Sequence, residues 1–310
     1  MSEALRAAVF WTAMVLVALH LGLALAAAGI PCVTSLVGLR TVKRLKIFTD
    51  KFGQQASTFA LLGGLWVFLG LLGAGAIIHF LAPDRVRLAF GFPFPLAAVG
   101  APLLAGAAVF LIYRGMWQRL KAKKAAHASL GLSATLFFWL TLYAGLATLR
   151  PVAIDEPALD WLSLLVPPVS AVFWRLLAEG LALSLFFAGT MTGAWLVWRR
   201  DKDEFGRDYY NFTLRLAARV GLGAGIVSLG CLVWVASGLL PVVGELSSRQ
   251  SAAVALYGSG MLLALGSCGF VASQENALRH KFLLVVALLG AIVALTGFLG
   301  GMSAVFWPAL

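Results

Sequence analysis

His20 interrupts the apolar stretch from Phe10 to Ile30 (FWTAMVLVALHLGLALAAAGI), and an ionisable ring held in hydrocarbon is costly enough to need a purpose. Three kinds of chemistry suit it: ligation of a haem iron, relay of protons, or a hydrogen bond that ties two helices together. Arg175 and Glu179 form a second group. In VFWRLLAEGLAL they stand four residues apart and therefore on one face of a helix. Charges so deep in an apolar run either pair or face a polar interior. One reading is a buried structural ion pair. The other is a polar pocket in which Arg175 holds a carboxylate, such as a haem propionate, and Glu179 takes or gives protons. His79 (AIIHFLAP) lies near the outer end of its run, where an interfacial histidine is ordinary. His127 and His280 open later runs beside Lys124 and Lys281, within reach of water or headgroups.

The elements that must hold these residues are membrane helices. Of the 310 residues 61% are hydrophobic and only 12% charged, which is far from soluble globular usage. Runs of about 20 apolar residues, long enough for a bilayer, fall at roughly 8–38, 55–82, 95–117, 127–149, 169–198, 212–239, 252–273 and 281–306. The expected fold is thus an all-α, polytopic transmembrane bundle of eight spans. Lysine and arginine crowd four alternate connections, 40–52, 114–124, 199–219 and 279–281, whereas the other connections hold only Arg6, Arg85, Arg87, Arg150 and Arg249. Basic loops stay in the cytoplasm, so both termini are expected on the periplasmic side. The net charge of +11 then serves topology and contact with anionic lipid headgroups. Nucleic-acid binding is not expected, because the charge is spread over short loops.

A cleavable signal competes for the first run, since Ala26, Ala27 and Ala28 offer a small-residue site and Cys32 suggests a lipoprotein. Glu3 with a single nearby arginine makes a poor signal start, and Pro31 directly before Cys32 does not suit cleavage, so the run reads as a span. Cys32, Cys231 and Cys268 are far apart and make no C-x-x-C; they read as small core residues. No P-loop, dinucleotide fingerprint or C-x-x-C-H haem attachment is present. The glycine-rich stretches LLGGLWVFLGLLGAGA and GLGAGIVSLG suit close helix packing in lipid. Trp11, Trp117, Trp161, Trp198 and Trp307 fit interfacial belts.

A shift of 158 residues lays the first four runs on the last four. GLAL at 22–25 falls on GLAL at 180–183, Asp50 on Asp208 and Gly63 on Gly221. The organisation expected is a four-helix half over 1–150, a periplasmic connection over 151–168 and a second, parallel four-helix half over 169–310. Such repeats enclose sites at their interface in many membrane proteins, although a duplication with no site is equally allowed.

Four segments resemble a known family, the haem-bearing large subunit of cytochrome bd quinol oxidases. TAMVLVALHLGLAL is similar to its first helix with the haem-ligating histidine, and FTDKFGQQASTFALLGG to the start of its second. The stretch from PLAAVGAP to GMWQRLKAKKAAHASLGL resembles its third and fourth helices, and AEGLALSLFFAGTMTGAWLVWRRDKDEFGR its fifth helix and exit. The resemblance implies that His20 matches the axial ligand of the oxygen-reducing haem and that Met261, in YGSGMLLAL, matches a methionine ligand of the low-spin haem. It also shows departures. Arg175 replaces the low-spin histidine and cannot ligate iron. Apolar residues around Val99 and Ala107 replace the proton-path acids, the quinol loop shrinks to about a dozen residues around Glu245, Leu295 and Thr296 stand where an acid is expected, and the final helix is missing.

These departures argue against a complete oxygen reductase. The function expected is a shortened cytochrome bd-like subunit of the bacterial cytoplasmic (inner) membrane. It would hold one haem b on His20 and pass electrons between the quinone pool and a periplasmic redox partner such as a cytochrome, at most as a quinol-linked oxidoreductase subunit. A haemless structural or assembly subunit docking other respiratory membrane proteins is the alternative, and a small-solute transporter using Arg175 and Glu179 a third. Fold similarity does not choose among them.

Overall fold

The computed structural model describes residues 2–40, 43–81, 93–120, 122–154, 166–168, 171–203, 205–243 and 246–306. Among these residues the regular structure is all helical, with nine α-helices: α1 (Glu3–Arg40), α2 (Lys46–Leu81), α3 (Pro93–Gly115), the single turn α4 (Trp117–Leu120), α5 (Lys124–Ile154), α6 (Val172–Arg199), α7 (Arg207–Val243), α8 (Ser248–Ser273) and α9 (Phe282–Phe306). All but α4 are long and apolar enough to cross a membrane, as the eight apolar runs predict. The chain therefore reads as a multi-pass membrane protein. A helix satisfies its own backbone groups, which lipid cannot do. At 1.5 Å per residue the 38 residues of α1 extend ~57 Å, well past the ~30 Å of hydrocarbon, so polar turns such as the one ending at Arg40 project beyond the apolar layer. Arg85, Arg87, Trp161, Glu245 and Trp307 lie outside the described residues, as does most of the connection over 151–168.

The chain divides into two compact units. One combines Met1–Ala26 with Ala182–Leu310 and the other is Ala27–Leu181; they are called below the C-terminal and N-terminal units. Both boundaries cut through helices, α1 and α6. In the most apolar stretch of α6, 72% of the residues are buried, against 17–44% in the other spans.

In the C-terminal unit, α8 and α9 meet backbone to backbone. A Cβ added to Gly260 would stand 2.4 Å from the Ala294 amide nitrogen, and one on Gly297 2.5 Å from that of Tyr257. Only glycine permits so close an approach, which gains van der Waals contact where lipid offers no hydrophobic drive between helices. Ser247 caps α8 reciprocally: its hydroxyl accepts from the Gln250 amide at 3.3 Å, and Gln250 Oε1 accepts from the Ser247 amide at 2.9 Å. In the N-terminal unit, α3 lies on α5 where Gly106 meets Phe137 and Phe138, and α5 lies on α1 where Gly131 meets Ser35 and the Pro31 carbonyl.

Candidate functional site

His20 projects from α1 within the C-terminal unit. The buried stripe of this part of α1 runs through Ala18, Gly22, Leu25 and Ala26, with Gly22 seated against Phe187 and Met191 of α6. At 100° per residue His20 stands about 200° round the helix from Ala18, on the side where Leu16 is 62% exposed. Its Nε2 is nevertheless buried and has no hydrogen-bond partner. Burying a ring nitrogen unbonded costs of order 1–3 kcal/mol, and a helix-tying histidine would have spent that atom on its neighbour. An axial bond to iron needs a ring nitrogen with its lone pair uncommitted, so His20 fits one haem ligand.

Met261, also in the C-terminal unit, is 1% exposed. It lies two turns before Cys268, whose sulfur sits 3.2 Å from where a Cβ on Gly221 of α7 would be. Its stripe of α8 thus faces α7, and packing accounts for its burial. Leu295 and Thr296, the positions where the resemblance calls for an acid, are likewise buried, and the Thr296 hydroxyl donates to the Ile292 carbonyl at 2.8 Å. Arg175 and Glu179 are one turn apart on α6 in the N-terminal unit; Glu179 is fully buried and Arg175 half-buried. The candidates thus divide, His20 with Met261 and Arg175 with Glu179. His79 belongs to α2, and its side chain lies outside the described residues. Among the described residues no three histidine, cysteine or acidic side chains gather as a metal site.

A polar cluster that the sequence places in water or at the interface is instead largely buried. At the basic end of the N-terminal unit, the His127 ring stacks on Tyr113 at 4.4 Å between centroids and meets Trp117 edge-on at 4.4 Å. Its Nε2 is buried without a partner. Trp117, assigned above to the interfacial belt, is only 5% exposed. The edge of its ring meets Gly53, where a Cβ would come within 2.4 Å, and its Nε1 has no acceptor. The Tyr113 hydroxyl shares a 2.8 Å hydrogen bond with Thr34. By contrast Trp198 is 52% exposed, as an interfacial residue should be. Trp117 and His127 border an open cleft lined also by Thr34, Lys46, Asp50 and Lys124. No pattern in the sequence marks the cluster, because its members come from α1, α2, α3, α4 and α5.

No family model matches the chain, and no curated protein matches it.

Proposed function

We propose that this multi-pass membrane protein is a cytochrome bd-like subunit of a bacterial inner membrane that holds one b-type haem on His20 and links the quinone pool to a periplasmic redox partner. The observation that carries the proposal is the buried Nε2 of His20, which no protein group engages. When bound, haem supplies reversible one-electron transfer between its ferrous and ferric states. The chain contributes the rest. The helix backbone of α1 would fix the imidazole, Nε2 would offer its lone pair to the iron, and apolar neighbours such as Leu16 and Val17 would face the group. With Met261 packed toward α7 and Arg175 having no lone pair to give, His20 would be the one residue holding the iron.

The haemless structural or assembly subunit is favoured by a different observation, the glycine seams of α8 and α9, which serve packing alone. One experiment separates the two. The full chain is purified after expression with haem supply, and quinol is added to the protein in liposomes. Reduction of a b-type spectrum by quinol supports electron transfer. Protein free of haem bands leaves the structural reading.

A further inference from the structure

We propose that His127 is a proton-sensitive lock at the basic end of the N-terminal unit: the neutral ring holds α3, α4 and α5 together, and a protonated ring leaves its seat for the cleft and loosens that corner. In its seat the ring lies plane to plane on Tyr113, 4.4 Å between centroids and 14° apart, and meets Trp117 edge-on at 4.4 Å. The seat is fixed from outside. The Tyr113 hydroxyl is tied to Thr34 at 2.8 Å, Trp117 meets Tyr113 edge-on at 5.3 Å, and the edge of the Trp117 ring fills the space at Gly53. One imidazole therefore joins α5 to α3 and α4, and through Trp117 to α2.

Protonation does not suit that seat. A charged imidazole carries an N–H on both ring nitrogens, and Nε2 of His127 is buried with no acceptor. An ionised donor left unbonded away from water costs more than a neutral one. The surrounding charge adds to this. Lys46 and Asp50 of α2 and Lys124 of α5 line the cleft beside the ring, two cations to one carboxylate among the described residues there, and from α1 the lining is the uncharged Thr34, Ser35 and Gly38. On α3, Arg114 next to Tyr113 turns to α2 and donates to the Thr58 hydroxyl at 3.0 Å, while Arg119 of α4 and Lys123 are exposed. Asp50 and the face of Tyr113 favour a charged ring, but neither gives Nε2 an acceptor. The ring also has a way out, since it is half-buried and borders the open cleft. The folded state thus prefers the neutral ring, whereas the unfolded chain takes up the proton at the ordinary histidine value of about 6.5, so stability falls as pH drops below it. The position 158 residues further on is Val285, which cannot ionise. The lock belongs to one unit and does not rest on haem at His20.

The test follows thermal unfolding of the full chain in an uncharged detergent from about pH 7.5 to about pH 5.5. The wild type is compared with His127→Phe, which keeps a flat ring against Tyr113 and cannot take a proton. Over this window the wild-type midpoint is expected to fall by about 2–4 °C more than that of the variant; the difference removes the titration of His20, His79 and His280. Asp50→Asn, which takes away the carboxylate that favours a charged ring, should deepen the fall. Hydrogen exchange locates the effect: at the lower pH the amides of α4 and the first turns of α5 should exchange several-fold faster in the wild type and unchanged in His127→Phe. If His127→Phe does not fold, His127→Gln takes its place, and exchange in the wild type must still quicken at α4 and α5 first. Equal falls in wild type and variant, a midpoint that rises as pH drops, or exchange that quickens evenly along the chain overturns the lock.

Discussion

The C-terminal unit and the basic end of the N-terminal unit spend their polar and small residues in opposite ways. Along α8 and α9, glycines bring two backbones together, and at α7 Asn211 Oδ1 and Arg215 Nη2 bond to the backbone between those helices, although the buried Nε of Arg215 has no partner. At the matching register in the N-terminal unit, Gly53 accepts the edge of the Trp117 ring, and the ring nitrogens of Trp117 and His127 are left buried without partners. A polar group engaged by the protein stabilises the fold, whereas a buried one left unengaged costs stability until something binds. His20 belongs with the second kind although it lies in the first unit.

Gly260→Val puts the comparison under the largest strain. Its side chain would collide with backbone of α9, so about 3 kcal/mol or more of destabilisation is expected, with loss of monodisperse protein in detergent. A melting temperature close to wild type would show that the seam is looser than described. Thr34→Val removes the hydrogen bond to the buried Tyr113 hydroxyl and should cost about 1–2 kcal/mol in denaturant or thermal unfolding. Were it neutral, Tyr113 would have found another partner and the wall of the cleft would be more adaptable than drawn. Ser247→Ala breaks the capping box of α8 and is expected to cost about 1 kcal/mol, read as a lowered midpoint that Ser247→Asp recovers. Gly258→Ala sets the lower limit. A Cβ there meets nothing within 4 Å, so stability should hold or rise by a few tenths of a kcal/mol, and a large loss would place a neighbour on that face.

Hydropathy made the eight spans legible because it acts over whole windows: an error of a few residues does not hide a run of twenty. The ends were less legible. Helices α2 and α7 begin at Lys46 and Arg207, well before their apolar runs, since polar turns carry no membrane signal yet continue the helix. His20 and Glu179 were legible for one reason, an ionisable side chain inside a hydrophobic run, and both prove to hold buried polar atoms. The cleft was not. Its hydrogen bond from Thr34 to Tyr113 spans 79 residues, and Trp117 and His127, each beside a run of lysines, look like interfacial residues until Gly53 and Tyr113 are placed against them.

The most direct test of the role given to His20 is the reduced-minus-oxidised spectrum of the purified full chain, wild type against His20→Ala, with thermal unfolding recorded on the same samples. Because no hydrogen bond to Nε2 is lost, the alanine variant should keep its fold, and the b-type bands of the wild type should vanish. A wild type without haem bands, or bands that persist unchanged in His20→Ala, would contradict the assignment of His20 as the axial ligand.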